Sequence, residues 1–234
     1  MRLDNYLVQE LGVGSRNKAQ SYIKAGNVTV DSKVVTKSSF LVEPSHEVAV
    51  HIDKEYVSRS AWKLAHFLDE IALDVSGKRA LDIGSSTGGF TEVLLERGAR
   101  SVCAVDVGSE QLHPTLRGDS RIELHERTDI RNFEAEPFEL VVSDVSFISL
   151  LHILDAVDRL ADKEIVLLFK PQFEVGREAK RDKKGVLKDP KAVMRAMLAF
   201  EDACKLKGWQ LVKKSPSKVS GKEGNIEYCY YFRK

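Results

Sequence analysis

The sequence predicts a mostly parallel α/β sheet with helices on both faces, preceded by a small α+β unit. Three observations carry this. From Gly77 onward, short apolar runs alternate with helix-length stretches, the pattern of strand–helix–strand units. A glycine-rich loop follows the first of those runs and opens a helix. The first 50 residues follow a different pattern, two short helices and then a tight hairpin.

In the small unit, Leu3, Leu7 and Leu11 recur at helical spacing, and Gly12 and Gly14 break it. Ser15 is placed to cap a second helix that carries Ala19 and Ile23 on one face, with Gly26 as its stop. NVTV and KVV flank Asp31-Ser32, two strands around a tight turn. Residues 53–60 are polar and without period and read as a linker. This predicts domains at 1–52 and 61–234, the second opening with a helix over 61–71. ALDIG, SVCAVDVG, IELHE, LVVSDVSFI and EIVLLFKPQ read as successive strands. Helices are expected at GGFTEVLLERG, through the 150s, and from Pro190 to near Lys207 with Asp189 as cap. WQLVKKS and EYCYYF follow each other with no helix between them, so one of them is expected to run antiparallel at the sheet edge.

Hydrophobic residues make up 43% and charged residues 30% of the 234, which excludes a disordered or low-complexity chain. The longest apolar run, Ile165 to Phe169, is far short of the ~20 residues of a membrane helix, and the N-terminus has no signal-peptide core, so no membrane association is expected. Three dispersed cysteines argue against a disulfide framework or a cysteine metal site and point to the cytoplasm. The net charge is only +1, but residues 170–234 hold 17 Lys+Arg against 8 Asp+Glu, and residues 61–169 hold 11 against 20. That asymmetry suits a phosphate-bearing partner, or is a set of solvated lysines. Nothing argues for an oligomer or an obligate protein partner, and a monomer is expected.

The segments MRLDNYLVQ and GSRNKAQSYIKAGNVTVDSKVV resemble the S-four type of RNA-binding module over about the first 50 residues. The resemblance implies that Arg2, Arg16 and Lys18 contact RNA phosphates. Arg16 and Lys18 also sit in the first turn of their helix, where the dipole disfavours cations, a weak hint of an external anion.

Asp82-Ile-Gly-Ser-Ser-Thr-Gly-Gly-Phe90 is the cofactor loop. Its glycines (Gly84, Gly88, Gly89) let backbone approach a ligand at a helix start, with Ser85, Ser86, Thr87 and Phe90 between and after them. Asp106, 22 residues after Gly84 and followed by Val107, is placed to accept from two ribose hydroxyls. A nicotinamide dinucleotide and S-adenosylmethionine both use this arrangement. The spacing is GxxxGG rather than GxGxxG, and an acid precedes the first glycine by two residues. Both details favour the cationic amino-acid ligand, S-adenosylmethionine. Asp129, followed by Ile130, is a candidate for the adenine amino group. Strand-end and turn carboxylates are the bland alternative.

Lys63, Asp144, Lys170 and Glu227 are the candidate reaction residues. Asp144 and Lys170 end neighbouring strands, where open parallel sheets bind ligands. A lysine amine at the end of an apolar strand can serve as a general base when burial disfavours its charged form. Residues 177–191 hold seven basic and three acidic residues beside this end of the sheet, with Arg177 and Lys183 as candidate phosphate contacts and Arg59 as another. Phe90, Phe147, Phe173 and Trp62 are each as easily core as base-stacking platforms. No metal site is expected.

DIGSSTGGFTEVLL, SDVSFISL, LFKPQFEVGR and EGNIEYCYYF, together with the N-terminal module, resemble the TlyA family of ribosomal RNA methyltransferases, formerly grouped with haemolysins, across essentially the whole chain. The resemblance implies a Rossmann-like class I S-adenosylmethionine-dependent methyltransferase fold of the FtsJ type behind a small α+β RNA-binding domain. It implies 2′-O methylation of a cytidine ribose by a Lys-Asp-Lys-Glu set, which Lys63, Asp144, Lys170 and Glu227 match, with Glu223 as a rival for the last place. It implies 23S RNA as the target of shorter members, 16S as well for longer ones, and a link to capreomycin and viomycin susceptibility. Competing readings are a non-catalytic RNA-binding assembly factor, against which the intact Lys-Asp-Lys set speaks, and a membrane-active cytolysin, for which no suitable segment exists.

Overall fold

The computed structural model describes residues 1–51, 54–176 and 178–234. It divides into two compact units, Met1–Glu55 and Tyr56–Lys234. The boundary after Glu55 falls inside the 53–60 stretch read as linker, whose residue 53 lies outside the described residues. Tyr56 sets its ring edge-on against Trp62 at 4.9 Å, and Val57 N–H donates to Glu92 at 2.7 Å. An aromatic contact and one backbone bond order a segment that shows no period.

The first unit has α1 (Leu3–Gln9), α2 (Arg16–Lys24), β1 (Val28–Val30), β2 (Lys33–Val34) and β3 (Val48–Val50). Leu3, Leu7, Ala19, Ile23, Val28, Val30 and Val42 form its core. Leu11 falls outside α1 and is exposed, because the helix stops at Gln9. Ser15 Oγ accepts from Lys18 N–H and caps α2 as expected. Asp31 (φ 48°) and Ser32 (φ 64°) are both left-handed, the backbone of a two-residue hairpin turn. β3 completes the sheet on the other side of β1; VAV is too short to show a period.

The second unit runs α3 (Ala61–Ile71), β4 (Arg79–Ile83), α4 (Gly89–Glu96), β5 (Ser101–Val105), α5 (Pro114–Arg117), β6 (Ile122–His125), β7 (Phe138–Ser143), α6 (Leu154–Leu160), β8 (Ala161–Phe169), α7 (Pro171–Glu174), α8 (Pro190–Leu206), β9 (Gln210–Pro216) and β10 (Tyr228–Arg233). Asp189 caps α8 by accepting from Ala192 N–H at 2.9 Å, with Pro190 in its first turn. The sheet order is β6-β5-β4-β7-β8-β10-β9. Alternate residues of the central strands feed two apolar layers. Leu81, Val141, Ile165 and Leu167 pack with α6 and α8, while Ala80, Leu140, Val142 and Val166 pack with α3 and α4.

One expectation is corrected. β10 is the antiparallel strand, but it lies inside the sheet, between β8 and β9. Its CYYF run is buried, whereas β9, with Lys213 and Lys214, is exposed along most of its length and takes the edge.

Candidate active site

The chain leaves β4 toward β5 on one side and leaves β7 toward β8 on the other, so their carboxyl-end loops part and open a crevice. Two clefts meet there. One, of about 570 Å³, is lined by Gly84, Ser86, Asp106, Val107, Asp129 and Ile130. The other, of about 810 Å³, is lined by Arg59, Lys63, Ser85, Thr87, Phe90, Lys170 and Glu227. Gly84, Ser86, Asp144, Ser146 and Phe147 belong to both and form the shared wall.

The loop after β4 reaches this wall because Gly84 (φ 79°) lies tight against β7's continuation; a Cβ there would stand 3.2 Å from the Val145 Cα. Asp106, at the end of β5, accepts from Ser86 N–H at 2.8 Å and Gly108 N–H at 2.7 Å, which fixes its carboxylate at the cleft. Asp129 enters the cleft already gripped by Arg131, whose Nε lies 3.0 Å from both carboxylate oxygens. Those hydrogen bonds hold the Asp129 carboxyl down at about 2.

Three residues of the expected cofactor loop line neither cleft. Gly88 (φ 91°) is the left-handed residue that starts α4, and Gly89 packs on the Ser58–Ala61 turn. They shape the loop rather than face it. Asp82 is wholly buried beneath it; Thr91 Oγ1 donates to its Oδ2 at 2.6 Å, and its Oδ1 has no hydrogen-bond partner. Burial, reinforced by Asp144 and Asp106 and opposed by Thr91, pushes the Asp82 carboxyl up to about 7.

The folded state thus holds this proton more tightly than the unfolded chain. An ionisation penalty grows as pH rises from about 4 to about 7, of the order of 4 kcal/mol when complete. Asp82→Asn keeps an acceptor for Thr91 and removes the penalty. Its denaturation midpoint should match the wild type at pH 4 and exceed it at pH 8. Equal midpoints at pH 8 would contradict a proton-binding Asp82.

The four reaction candidates come together as two buried pairs. Lys63 Nζ donates to Glu227 Oε2 at 2.6 Å, and Gln172 Nε2 donates to Glu227 Oε1 at 3.0 Å. Lys170 Nζ lies 2.6 Å from Asp144 Oδ1, 3.2 Å from the Asp144 carbonyl oxygen and 2.7 Å from Ser146 Oγ. Burial pushes the Asp144 carboxyl above its ordinary range against the pull of Lys170 and Lys63. Glu227, 2% exposed, is the acid that meets Lys63, while Glu223 is exposed on the preceding loop. Sequence reasoning missed Ser146 and Gln172. Each lies two residues beyond a residue it did select, Asp144 and Lys170, and the signal was that proximity.

The aromatic candidates separate. Phe90 is core. Phe147 is 91% exposed with a left-handed backbone (φ 66°), and its ring lies 5.1 Å from that of Phe173. Left-handed backbone is uncommon for a bulky residue and concentrates at functional sites.

The cations placed against RNA divide as well. Arg2 and Arg16 converge on buried Asp4, which both guanidinium groups reach at 2.9–3.0 Å and which Gln20 also bonds; the Arg2 bond chiefly holds the Asp4 carboxyl well below the carboxylate range. Both arginines stay about half exposed. Lys18 pairs with Glu55 at 2.5 Å. Arg59 donates to the Ser220 carbonyl at 3.1 Å, and Lys183 stands exposed in a turn. Arg177 lies outside the described residues. Among those described, no helix is long and apolar enough to cross a membrane.

Residues 56–234 match the FtsJ-like methyltransferase family, and residues 1–48 match the S4 domain. The chain is 46% identical to the 23S rRNA (cytidine-2′-O)-methyltransferase TlyA of Campylobacter jejuni, with all of both chains aligned. It is 42% identical to the 16S/23S rRNA (cytidine-2′-O)-methyltransferase TlyA of Mycobacterium tuberculosis, over 99% of this chain and 89% of that one. A solved structure described as a putative hemolysin from Streptococcus thermophilus matches 100% of this chain and 88% of its own, with TM-score 0.74 and 31% identity. A methyltransferase domain over three-quarters of the chain, an S4 domain before it and a relative aligned from end to end place this chain in the TlyA family of FtsJ-like methyltransferases.

Proposed function

We propose that this protein methylates the 2′-oxygen of a cytidine ribose in ribosomal RNA, 23S RNA of the large subunit, with S-adenosylmethionine as methyl donor. The observation that carries the reading is the pair of buried Lys–carboxylate contacts, Lys170–Asp144 and Lys63–Glu227, in the cleft that shares a wall with the glycine-loop cleft. Full-length similarity to proteins named for this reaction supports it.

The smaller cleft suits the donor. Its volume lies within the roughly 300–1,000 Å³ of small-molecule sites. Asp106 offers carboxylate oxygens to ribose hydroxyls, Val107 and Ile130 offer apolar surface to a purine, and Asp129 is the acceptor for its amino group. Asp106, Asp129 and Asp144 all line this cleft, an acidic lining that suits a cationic amino acid. When bound, the donor supplies an electrophilic methyl group that needs no metal to activate it.

The residues of this chain do the rest. Lys170 takes the proton of the 2′-hydroxyl, a step that requires its amine to have given up its own proton first. Asp144 and Ser146 aim its Nζ. Lys63, held by Glu227, faces the charge that develops on the oxygen. Alignment of oxygen and methyl supplies most of the rate gain. Phe147, exposed at the shared wall, suits stacking on a base extruded from its helix.

RNA binding rests on Arg2, Arg16 and Lys18 in the S4 domain and on Arg59, Arg177 and Lys183 in the methyltransferase domain, in a cytoplasmic monomer. Arg16→Ala should weaken rRNA binding about tenfold and lower the salt slope of log affinity by about one. The single-turnover rate of bound RNA should not change. An unchanged affinity would remove Arg16 from the RNA surface.

The direct test is transfer of labelled methyl from S-adenosylmethionine to unmodified 30S and 50S subunits. Label on the 2′-oxygen of a 50S cytidine is the expected result. Label on 30S alone would move the target to 16S RNA. RNA binding without transfer would favour an assembly factor.

A further inference from the structure

The turn that follows β8 carries more of the site than Lys170. In five residues, Lys170 to Glu174, four side chains grip four different parts of the crevice: Lys170 the end of β7, Gln172 the Glu227 carboxylate, Phe173 the Phe147 ring, and Glu174 the far end of the loop after β7. The first three line the larger cleft already described. Glu174 lines neither cleft.

Its two oxygens are both engaged. Leu150 N–H donates to Oε1 at 2.8 Å, and Ser149 Oγ donates to Oε2 at 2.5 Å. Ser149 is in turn the cap of the short 3₁₀ turn Leu150–His152, accepting from Leu151 N–H at 3.1 Å. The loop after β7 is thereby tied to the same turn at both ends, through Asp144 and Ser146 at Lys170 and through Ser149 and Leu150 at Glu174. Between the ties lies Phe147, in a left-handed conformation that a bulky side chain keeps only under constraint from its surroundings.

We propose that Glu174 is a positioning residue for methyl transfer: by pinning Ser149 and Leu150 it holds the loop so that Asp144 and Ser146 stay aimed at Lys170. This rests on the assignment of Lys170 and Asp144 to the reaction centre. Without the second tie the loop has one anchor, and the reacting groups lose their fixed separation. A misplacement of about 1 Å costs on the order of a hundredfold in rate.

The test is single-turnover methyl transfer to 50S subunits at saturating S-adenosylmethionine for three variants of the full chain, with thermal melts alongside. Glu174→Ala removes both bonds and should transfer methyl about a hundredfold more slowly. Glu174→Asp keeps the charge but is one methylene short of both partners, and should lose about tenfold; it stands in should Glu174→Ala fail to fold. Glu174→Gln spans the same gap, accepting from Leu150 and donating to Ser149, and should stay within about threefold of wild type. A purely structural role would lower melting points and leave the rate of folded enzyme unchanged. Rates within threefold of wild type for both Glu174→Ala and Glu174→Asp would overturn the proposal, as would a Glu174→Gln as slow as Glu174→Ala. A wild type that transfers no methyl overturns the reaction-centre reading itself, and the positioning role with it.

Discussion

Lys170→Met should transfer methyl about 10³–10⁴-fold more slowly than wild type, the scale of a lost general base, while binding S-adenosylmethionine within about threefold of wild-type affinity. The split follows from where Lys170 stands. It lines the larger cleft and not the glycine-loop cleft, so the contacts proposed for the cofactor at Gly84, Asp106 and Ile130 are untouched. Methionine fills much of the lysine stem's volume but offers no amine to a hydroxyl proton. Label transfer and titration calorimetry read the two quantities separately. Loss of cofactor binding in this variant would mean that Lys170 serves the donor rather than the ribose.

Glu227→Ala carries the largest expected cost in stability. It removes the 2.6 Å partner of Lys63 and leaves that amine, 8% exposed, without its directly bonded carboxylate. Breaking a buried pair from one side costs about 3–5 kcal/mol, or roughly 10 °C in Tm for a chain of this size. The double variant Lys63→Met, Glu227→Leu replaces both charges with apolar groups and should recover most of that loss while remaining inactive. Stability and activity would thus part company, the result expected of a pair that serves the proposed reaction rather than folding. A Glu227→Ala protein that melts with the wild type would show Lys63 to be solvated and the pair dispensable.

Most of the fold was legible because its signals are local. Ser15 and Asp189 cap helices where their side chains reach backbone N–H groups three residues on. Asp31-Ser32 turns between two β-rich runs. Four of the five parallel strands, β4, β5, β7 and β8, announce themselves as apolar runs buried on both faces. What stayed illegible needed partners far along the chain. Tyr56–Ser60 looks like linker until Trp62 and Glu92 are beside it. The place of β10 depends on which of two adjacent strands is apolar on both faces. The glycine loop was readable as a loop, but which of its residues face a ligand was not, because Asp82, Gly88 and Gly89 are turned into packing by α3, α4 and α5.

The sequence by itself determined the two-unit plan, the alternating sheet, and the lysines and acids proposed for the chemistry, since strand periodicity, capping and residue type are properties of short segments. Only the tertiary structure decided how those groups pair. Lys63 and Glu227 are 164 positions apart. Insertion of β10 beside β8 brings Glu227, rather than the exposed Glu223, to the lysine on α3. The loop after β7 is set by Glu174, which sequence reading passed over. A charge takes the partner that burial leaves within reach, and burial is decided by the packing of the whole chain.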